Sequence, residues 1–198
     1  MGQPAAIVLA GGLARRMGGA DKLAFPVAGA TVLDRVLGAA RAASDAVVVV
    51  GRARPTTVSH VLFVPDDAPG GGPVPAVKTG LAHVPGADLV FLLAGDLPLL
   101  TADALGQLMH ELLANPDWEA AAADDGHRPN ALLALYRAPV LHRTASGLGR
   151  GDAARRLLPR AAGLVHLPPH ATLNVNTSED LQRAADLLGA REGDQRGQ

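Results

Sequence analysis

The sequence predicts a single doubly wound, three-layer α/β/α domain with a mostly parallel sheet, over residues 1–190. Three observations carry this expectation. Short apolar runs recur along the chain and alternate with segments of helical periodicity, the pattern of strands joined by crossover helices. The first four runs show little alternation between apolar and polar residues, as strands covered on both faces require. Two runs break off into glycine or a carboxylate, at the strand ends where such sheets hold their ligands.

Taken in order, residues 6–9 form a strand that stops at Gly11-Gly12. Residues 31–43 place Val32, Leu33, Val36 and Leu37 on one helical face, behind Thr31 as a cap. Strands follow at 46–50 and 61–64. Residues 65–75 (PDDAPGGGPVP) are the densest in glycine and proline. They read as an ordered functional loop or a mobile lid within the domain, because the strand and helix pattern resumes at once. A helix is expected at 75–84, a strand at 88–94 and a helix at 102–113 behind Thr101. Strands at 119–123 and 131–136, a short helix at 152–158 and a strand at 164–167 complete the sheet. The last helix, 177–188, opens on Thr-Ser-Glu-Asp, an acidic variant of the capping box. Residues 191–198 (REGDQRGQ) are polar and read as a disordered tail.

Composition narrows the function classes. The chain has 198 residues, about the length of one α/β domain, and 48% of them are hydrophobic, enough for a sizeable core. A net charge of −1, with one Trp, one Tyr and three Phe, disfavours a nucleic-acid surface, which needs basic excess and stacking rings. No cysteine is present, which excludes disulfides and thiolate metal sites and fits a reducing cytoplasm. The first apolar run is too short for a signal peptide, and no stretch approaches the roughly 18 apolar residues of a membrane span. The expectation is a cytoplasmic protein with neither nucleic-acid nor membrane partners.

Residues 7–22 (IVLAGGLARRMGGADK) concentrate the chemistry. A buried strand ends in a glycine loop, where backbone N–H groups can approach an anion with no Cβ in the way. Arg15, Arg16 and Lys22 add positive charge. The combination suits a polyphosphate. It is neither G-x-x-x-x-G-K-[ST] nor G-x-G-x-x-G, so a P-loop and the common dinucleotide fold are disfavoured. The strand at 88–94 ends at Asp96, and Pro98 stiffens the exit. A lone carboxylate on the same sheet edge as a phosphate site suits Mg²⁺, which takes few carboxylates and shares its oxygen ligands with substrate phosphates. Asp66 and Asp67 end the strand at 61–64, positioned for a ribose, a base or the metal. Asn174 and Asn176 precede the last helix with amides able to read a polar ligand. No G-x-S-x-G and no H-E-x-x-H occurs, and Pro168-Pro169 breaks the helical spacing of His166 and His170.

Together these motifs resemble the nucleotidyltransferases that use a Rossmann-like domain to activate sugars, alcohols and cofactors, and most closely their molybdenum cofactor guanylyltransferase branch. The resemblance rests on LAGGLARRMGGADK, GGGPVPAVKTGL, the strand ending in Gly95-Asp96-Leu97-Pro98, RPNALLALYR and NVNTSEDL, in that order. It spans about residues 5–188, with Ser178 standing where the family has proline. It implies nucleotide contacts at Leu9, Ala10, Gly11, Gly12, Gly51 and Asp66, phosphate contacts at Lys22, and Mg²⁺ on Asp96. It implies an acceptor side lined by Arg128, Asn130, Asn174 and Asn176. Catalysis falls to Lys22 and Asp96, with Arg15 and Arg16. The substrates so implied are GTP and molybdopterin. Proteins of molybdenum insertion and molybdoenzymes would be partners. Transferases that use CTP, or that act on sugar phosphates or methylerythritol phosphate, share the fold, as would a non-catalytic nucleotide-binding domain.

Overall fold

The computed structural model describes residues 4–11, 21–124, 126 and 128–195. Gly12, Arg15 and Arg16 lie outside the described residues. The chain runs β1 (Ala5–Leu9), β2 (Pro26–Val27), β3 (Ala30–Thr31), α1 (Val32–Ala43), β4 (Ala46–Val50), β5 (Val61–Val64) and α2 (Pro73–Leu81). It continues through β6 (Leu89–Ala94), α3 (Ala102–Ala114), β7 (Ala120–Asp124), β8 (Pro129–Arg137), α4 (Ala138–Ser146), β9 (Ala162–Val165) and α5 (Ser178–Gln195).

Seven strands form one sheet in the order β5-β4-β1-β6-β8-β7-β9. Neighbours are parallel except at β8, which runs antiparallel to both β6 and β7. The β7–β8 connection spans only residues 125–128, too short for the crossover that a parallel pair needs. The expected mostly parallel doubly wound sheet is therefore present, with one strand reversed.

Strand alternation sorts the core into two layers. Ala6 and Val8 of β1, Val47 and Val49 of β4 and Phe91 and Leu93 of β6 face α1, α3 and α5. Ile7, Val48, Val50, Val90 and Leu92 face α2 and α4. Both faces being covered is the reason these strands read as unbroken apolar runs. Gly80 lets α2 lie close on the sheet, since a Cβ there would stand 2.5 Å from Ile7 Cγ2.

Local chemistry set several ends as expected. Thr31 Oγ1 accepts the Asp34 N–H at 3.0 Å and Thr101 Oγ1 accepts the Ala104 N–H at 3.2 Å, each capping a helix. Other expectations are corrected. The helix at 138–146 is not among the elements expected from sequence; its Pro139 sits in the first turn, where a missing N–H has no partner to lose. The short helix expected at 152–158 is a single 3₁₀ turn, Ala154–Leu157. The strand expected at 164–167 is Ala162–Val165. Residues 26–31 form a hairpin not expected from sequence, turned at Ala28 and Gly29, both with positive φ. The last helix continues to Gln195, past the expected start of the tail; residues 196–198 lie outside the described residues. Among the described residues no helix is long and apolar enough to cross a membrane.

Candidate functional site

Four parallel strands end side by side, so the residues that follow them share one edge. Leu9 is in register with Val50 on one side and Ala94 on the other, and Val50 with Val64. The ladder extends one step further: Ala10 N–H donates to Val50 O at 2.9 Å, Gly51 N–H to Val64 O at 2.9 Å, and Gly95 N–H to Leu9 O at 3.0 Å. Residues 9–11, Gly51, Asp66 and Asp96 therefore gather at the carboxyl edge, where the chain switches from β5 back across β1 to β6. This switch point is where doubly wound sheets bind ligands.

Gly51 is required there by shape. Its φ is +144°, and a Cβ would stand 2.8 Å from Ala10 C and 2.9 Å from Ala10 O. Only glycine lets this backbone lie against residues 10–11. Gly51→Ala is expected to destabilise the fold by about 1–3 kcal/mol, read as a lowered urea midpoint. An unchanged midpoint would show that the strand ends separate freely.

Lys22 and Asp96 meet at the centre of this edge. Lys22 Nζ donates to Asp96 Oδ2 at 2.6 Å, to Val175 O at 2.9 Å and to Asn176 Oδ1 at 3.0 Å. An ammonium has three N–H donors, so all three are engaged. The side chains of the pair are 22% and 18% exposed. Asp96 Oδ1, by contrast, is buried and has no hydrogen-bond partner among the described residues. A buried carboxylate oxygen left unpaired is costly, and a ligand or a metal ion relieves that cost. The donor chemistry fits Mg²⁺, which needs only one or two protein carboxylates beside water and phosphate oxygens. No group of three or more acidic, histidine or cysteine side chains that could cage a metal occurs among the described residues.

The 174–176 segment is fixed from both ends. Val175 N–H donates to Asp96 O at 2.9 Å. Asp180 Oδ2 accepts the N–H groups of Asn176 at 2.9 Å and Thr177 at 2.8 Å, while Thr177 Oγ1 accepts the Asp180 N–H at 3.1 Å. This is the expected capping box, with Asp in the acidic role. Its Asn176 N–H bond holds the Asp180 carboxyl below its ordinary value, against the opposing pull of burial, with help from Thr177. A carboxyl depressed in the folded state contributes stability that is present in full above the ordinary value of 3.8 and is lost as pH falls through the folded value. The urea midpoint is accordingly expected to fall below about pH 4, and Asp180→Asn to lessen that fall. An identical acid profile in the variant would remove Asp180 from the account.

The remaining expected residues divide. Asp66 Oδ2 faces Gly11, 3.8 Å from where its Cβ would stand, and Oδ1 accepts the Ala68 N–H at 2.9 Å. Asp67 accepts the Thr79 hydroxyl at 2.9 Å and tethers the loop to α2. The 65–72 loop is also pinned to the 147–152 loop, where Gly151 N–H donates to Gly71 O at 2.9 Å. Asn176, expected on the acceptor side, accepts from Lys22 Nζ through Oδ1 at 3.0 Å. Asn174 is exposed beside it. Arg128 and Asn130 lie at the β7–β8 hairpin on the same edge, and Asn130 Oδ1 accepts the Leu132 N–H of its own strand at 2.9 Å.

Sequence reasoning passed over three residues here. Asp21 Oδ2 accepts from Arg54 Nε at 2.7 Å and Arg52 Nη2 at 2.9 Å, and Oδ1 accepts from Arg54 Nη2 at 3.2 Å. The available signals were two arginines just past a strand-ending glycine and an acid directly before Lys22; nothing local says that they pair.

The chain matches, over residues 6–164, the family model described as MobA-like NTP transferase domain. It is 36% identical over 191 residues to a probable molybdenum cofactor guanylyltransferase of Mycobacterium avium (strain 104), covering 92% of this chain and 95% of that one. It is 30% identical over 202 residues to the molybdenum cofactor guanylyltransferase of Bradyrhizobium sp. (strain ORS 278), covering 95% and 94%. Among solved structures it resembles a homologue, from Mycobacterium sp. strain JC1, of Mycobacterium tuberculosis Rv0371c. There the TM-score is 0.76 at 25% identity, covering 94% of this chain and 97% of that one.

Proposed function

The chain belongs to the MobA-like NTP transferase domain family, and from that membership we propose that it transfers GMP from GTP to the terminal phosphate of molybdopterin, releasing pyrophosphate. The observation that carries this reading is the Lys22–Asp96–Asn176 cluster on the carboxyl edge, with Asp96 Oδ1 buried and without a partner among the described residues. The names of the relatives favour guanine and molybdopterin as the substrates.

In the transfer, an oxygen of the molybdopterin phosphate forms a bond to the α-phosphorus of GTP. The bond from that phosphorus to the α–β bridging oxygen breaks, and pyrophosphate leaves with the electron pair. A phosphate monoester is largely ionised at neutral pH, so no strong general base is needed. The protein's work is placement and charge. The backbone at residues 9–11 and Gly51 offers a close approach for the nucleotide, with Asp66 at its rim. Lys22 meets developing negative charge by exchanging one of its three present acceptors for a phosphate oxygen. Mg²⁺, which Asp96 would hold through Oδ1, supplies neutralisation of phosphate charge when bound. Arg128, Asn130, Asn174 and Asn176 would line the acceptor side. A cytoplasmic setting, with hand-over of the product to proteins of molybdenum insertion and molybdoenzymes, belongs to the same reading.

The test is pyrophosphate release with molybdopterin present, with GTP and then CTP, with and without EDTA. Release that requires GTP and stops with chelator is expected. Release with CTP alone would reassign the base. Binding of GTP that ignores metal and yields no turnover would replace the enzyme by a nucleotide-binding module.

A further inference from the structure

Asp21 and Lys22 are adjacent, yet they reach in opposite directions across the end of β1. Lys22 is held by the residues after β6 and before α5. Asp21 is held by the residues after β4, through Arg52 and Arg54. Because β1 lies between β4 and β6 in the sheet, this dipeptide straddles the strand end where the nucleotide is expected. Its main chain adds a third fixed point, Ala24 N–H donating to Asp21 O at 3.0 Å.

The two arginines are not equivalent. The Arg54 side chain is 10% exposed and the Arg52 side chain 75%. Arg54 grips both carboxylate oxygens of Asp21, and its Nη1 donates to Arg52 O at 2.9 Å, so the guanidinium is fixed on two sides. A two-point guanidinium–carboxylate bond sets direction as well as distance, which a single contact does not. A buried ion pair is weak evidence for stability, because desolvation offsets much of its attraction. What this one contributes is geometry. Burial works to raise the Asp21 carboxyl, but the bonds and charges of the arginines outweigh it and hold the group below its ordinary value. The clamp therefore persists at neutral pH.

We propose that Arg54 is a positioning residue for nucleotidyl transfer: through its two-point bond to Asp21 it sets where the Lys22 ammonium stands relative to Asp96. The proposal rests on the transfer reading above. A displacement of about 1 Å at a reacting site is enough to cost on the order of 100-fold in rate. Arg54→Met is accordingly expected to lower kcat by about 10- to 100-fold, more than it changes KM for GTP. Arg54→Lys keeps the charge without the fork and is expected to leave the urea midpoint at its wild-type value while kcat stays lowered.

The deciding experiment is a double-mutant cycle on pyrophosphate release. If Arg54 acts through Lys22, Arg54→Met in a Lys22→Ala background costs no more than about twofold, because residues acting as a unit are not additive. A further 10-fold or greater loss there would overturn the proposal, leaving Arg54 a separate role. Should Arg54→Met fail to fold, Asp21→Asn takes its place in the cycle, since an amide cannot accept the fork at both atoms. A crystal structure of the folded variant gives a readout independent of turnover. Lys22 Nζ is expected to have left its 2.6 Å contact with Asp96, and an unmoved Lys22 would refute the proposal. Failure of the transfer reading looks different: the wild-type protein would then release no pyrophosphate, or Lys22→Ala would release it at the wild-type rate.

Discussion

Asp96→Asn is expected to lower turnover by about 10³-fold or more while leaving a folded protein. The two oxygens of Asp96 have separate duties, and the substitution affects them unequally. Oδ2 accepts from Lys22 at 2.6 Å, and an amide oxygen still accepts there, so the contact that joins Lys22 to the end of β6 survives with a neutral acceptor. Oδ1 is buried and has no partner among the described residues, and replacing it by NH₂ puts a donor where an anion was available to a cation. The fold around it is held independently: Gly95 N–H on Leu9 O and Val175 N–H on Asp96 O are both main-chain bonds. Single-turnover pyrophosphate release together with a thermal melt measures both halves. Near-wild-type turnover would take Asp96 out of the chemistry.

Lys22→Ala is expected to lower turnover by about 10²- to 10³-fold and, unlike Asp96→Asn, to cost stability as well. One ammonium holds Asp96, the Val175 carbonyl and Asn176. Its removal leaves a carboxylate without its counter-charge and three acceptors without a donor. Breaking a fully buried pair costs about 3–5 kcal/mol, and solvent reaching about a fifth of each side chain lowers that to about 1–2 kcal/mol. Lys22→Arg is expected to restore stability in part and turnover little. A planar guanidinium cannot present three converging bonds from one atom, which the three acceptors here demand. Wild-type turnover in Lys22→Ala would leave the cluster a structural latch alone.

Much of this site was legible, but in pieces. Lys22 and Asp96 both stood out, one closing a glycine loop and the other ending an apolar strand. Their meeting, 74 residues apart in sequence, was an expectation about a shared sheet edge. The acceptor role of Asn176 is implied by the resemblance alone, and nothing in the neighbouring residues says that its Oδ1 also meets Lys22. In the structure it faces Lys22. The Val175 carbonyl has no signature at all, since every residue has one. The Asp21–Arg54 clamp was missed because each member is individually an ordinary loop residue.

The same division runs through the fold. Apolar runs, threonine caps and the capping box of α5 could be read directly, since each is decided by residues within about one turn or one strand of one another. Helix α4 and the Ala28-Gly29 hairpin could not, since a first-turn proline and an alanine at φ 45° contradict the usual local preferences and are held by packing. By itself, then, the sequence determined most of the strands and helices, that the central strands are covered on both faces, and which strand ends carry glycine, cation and acid. The tertiary structure alone decided that β1 lies between β4 and β6, that β8 reverses, and that Lys22, Asp96, Asn176 and the Asp21–Arg54 clamp converge. The reason is physical: periodicity and capping are short-range and specified by neighbouring side chains, whereas strand order and cross-chain contacts are set by the best joint burial of all segments at once.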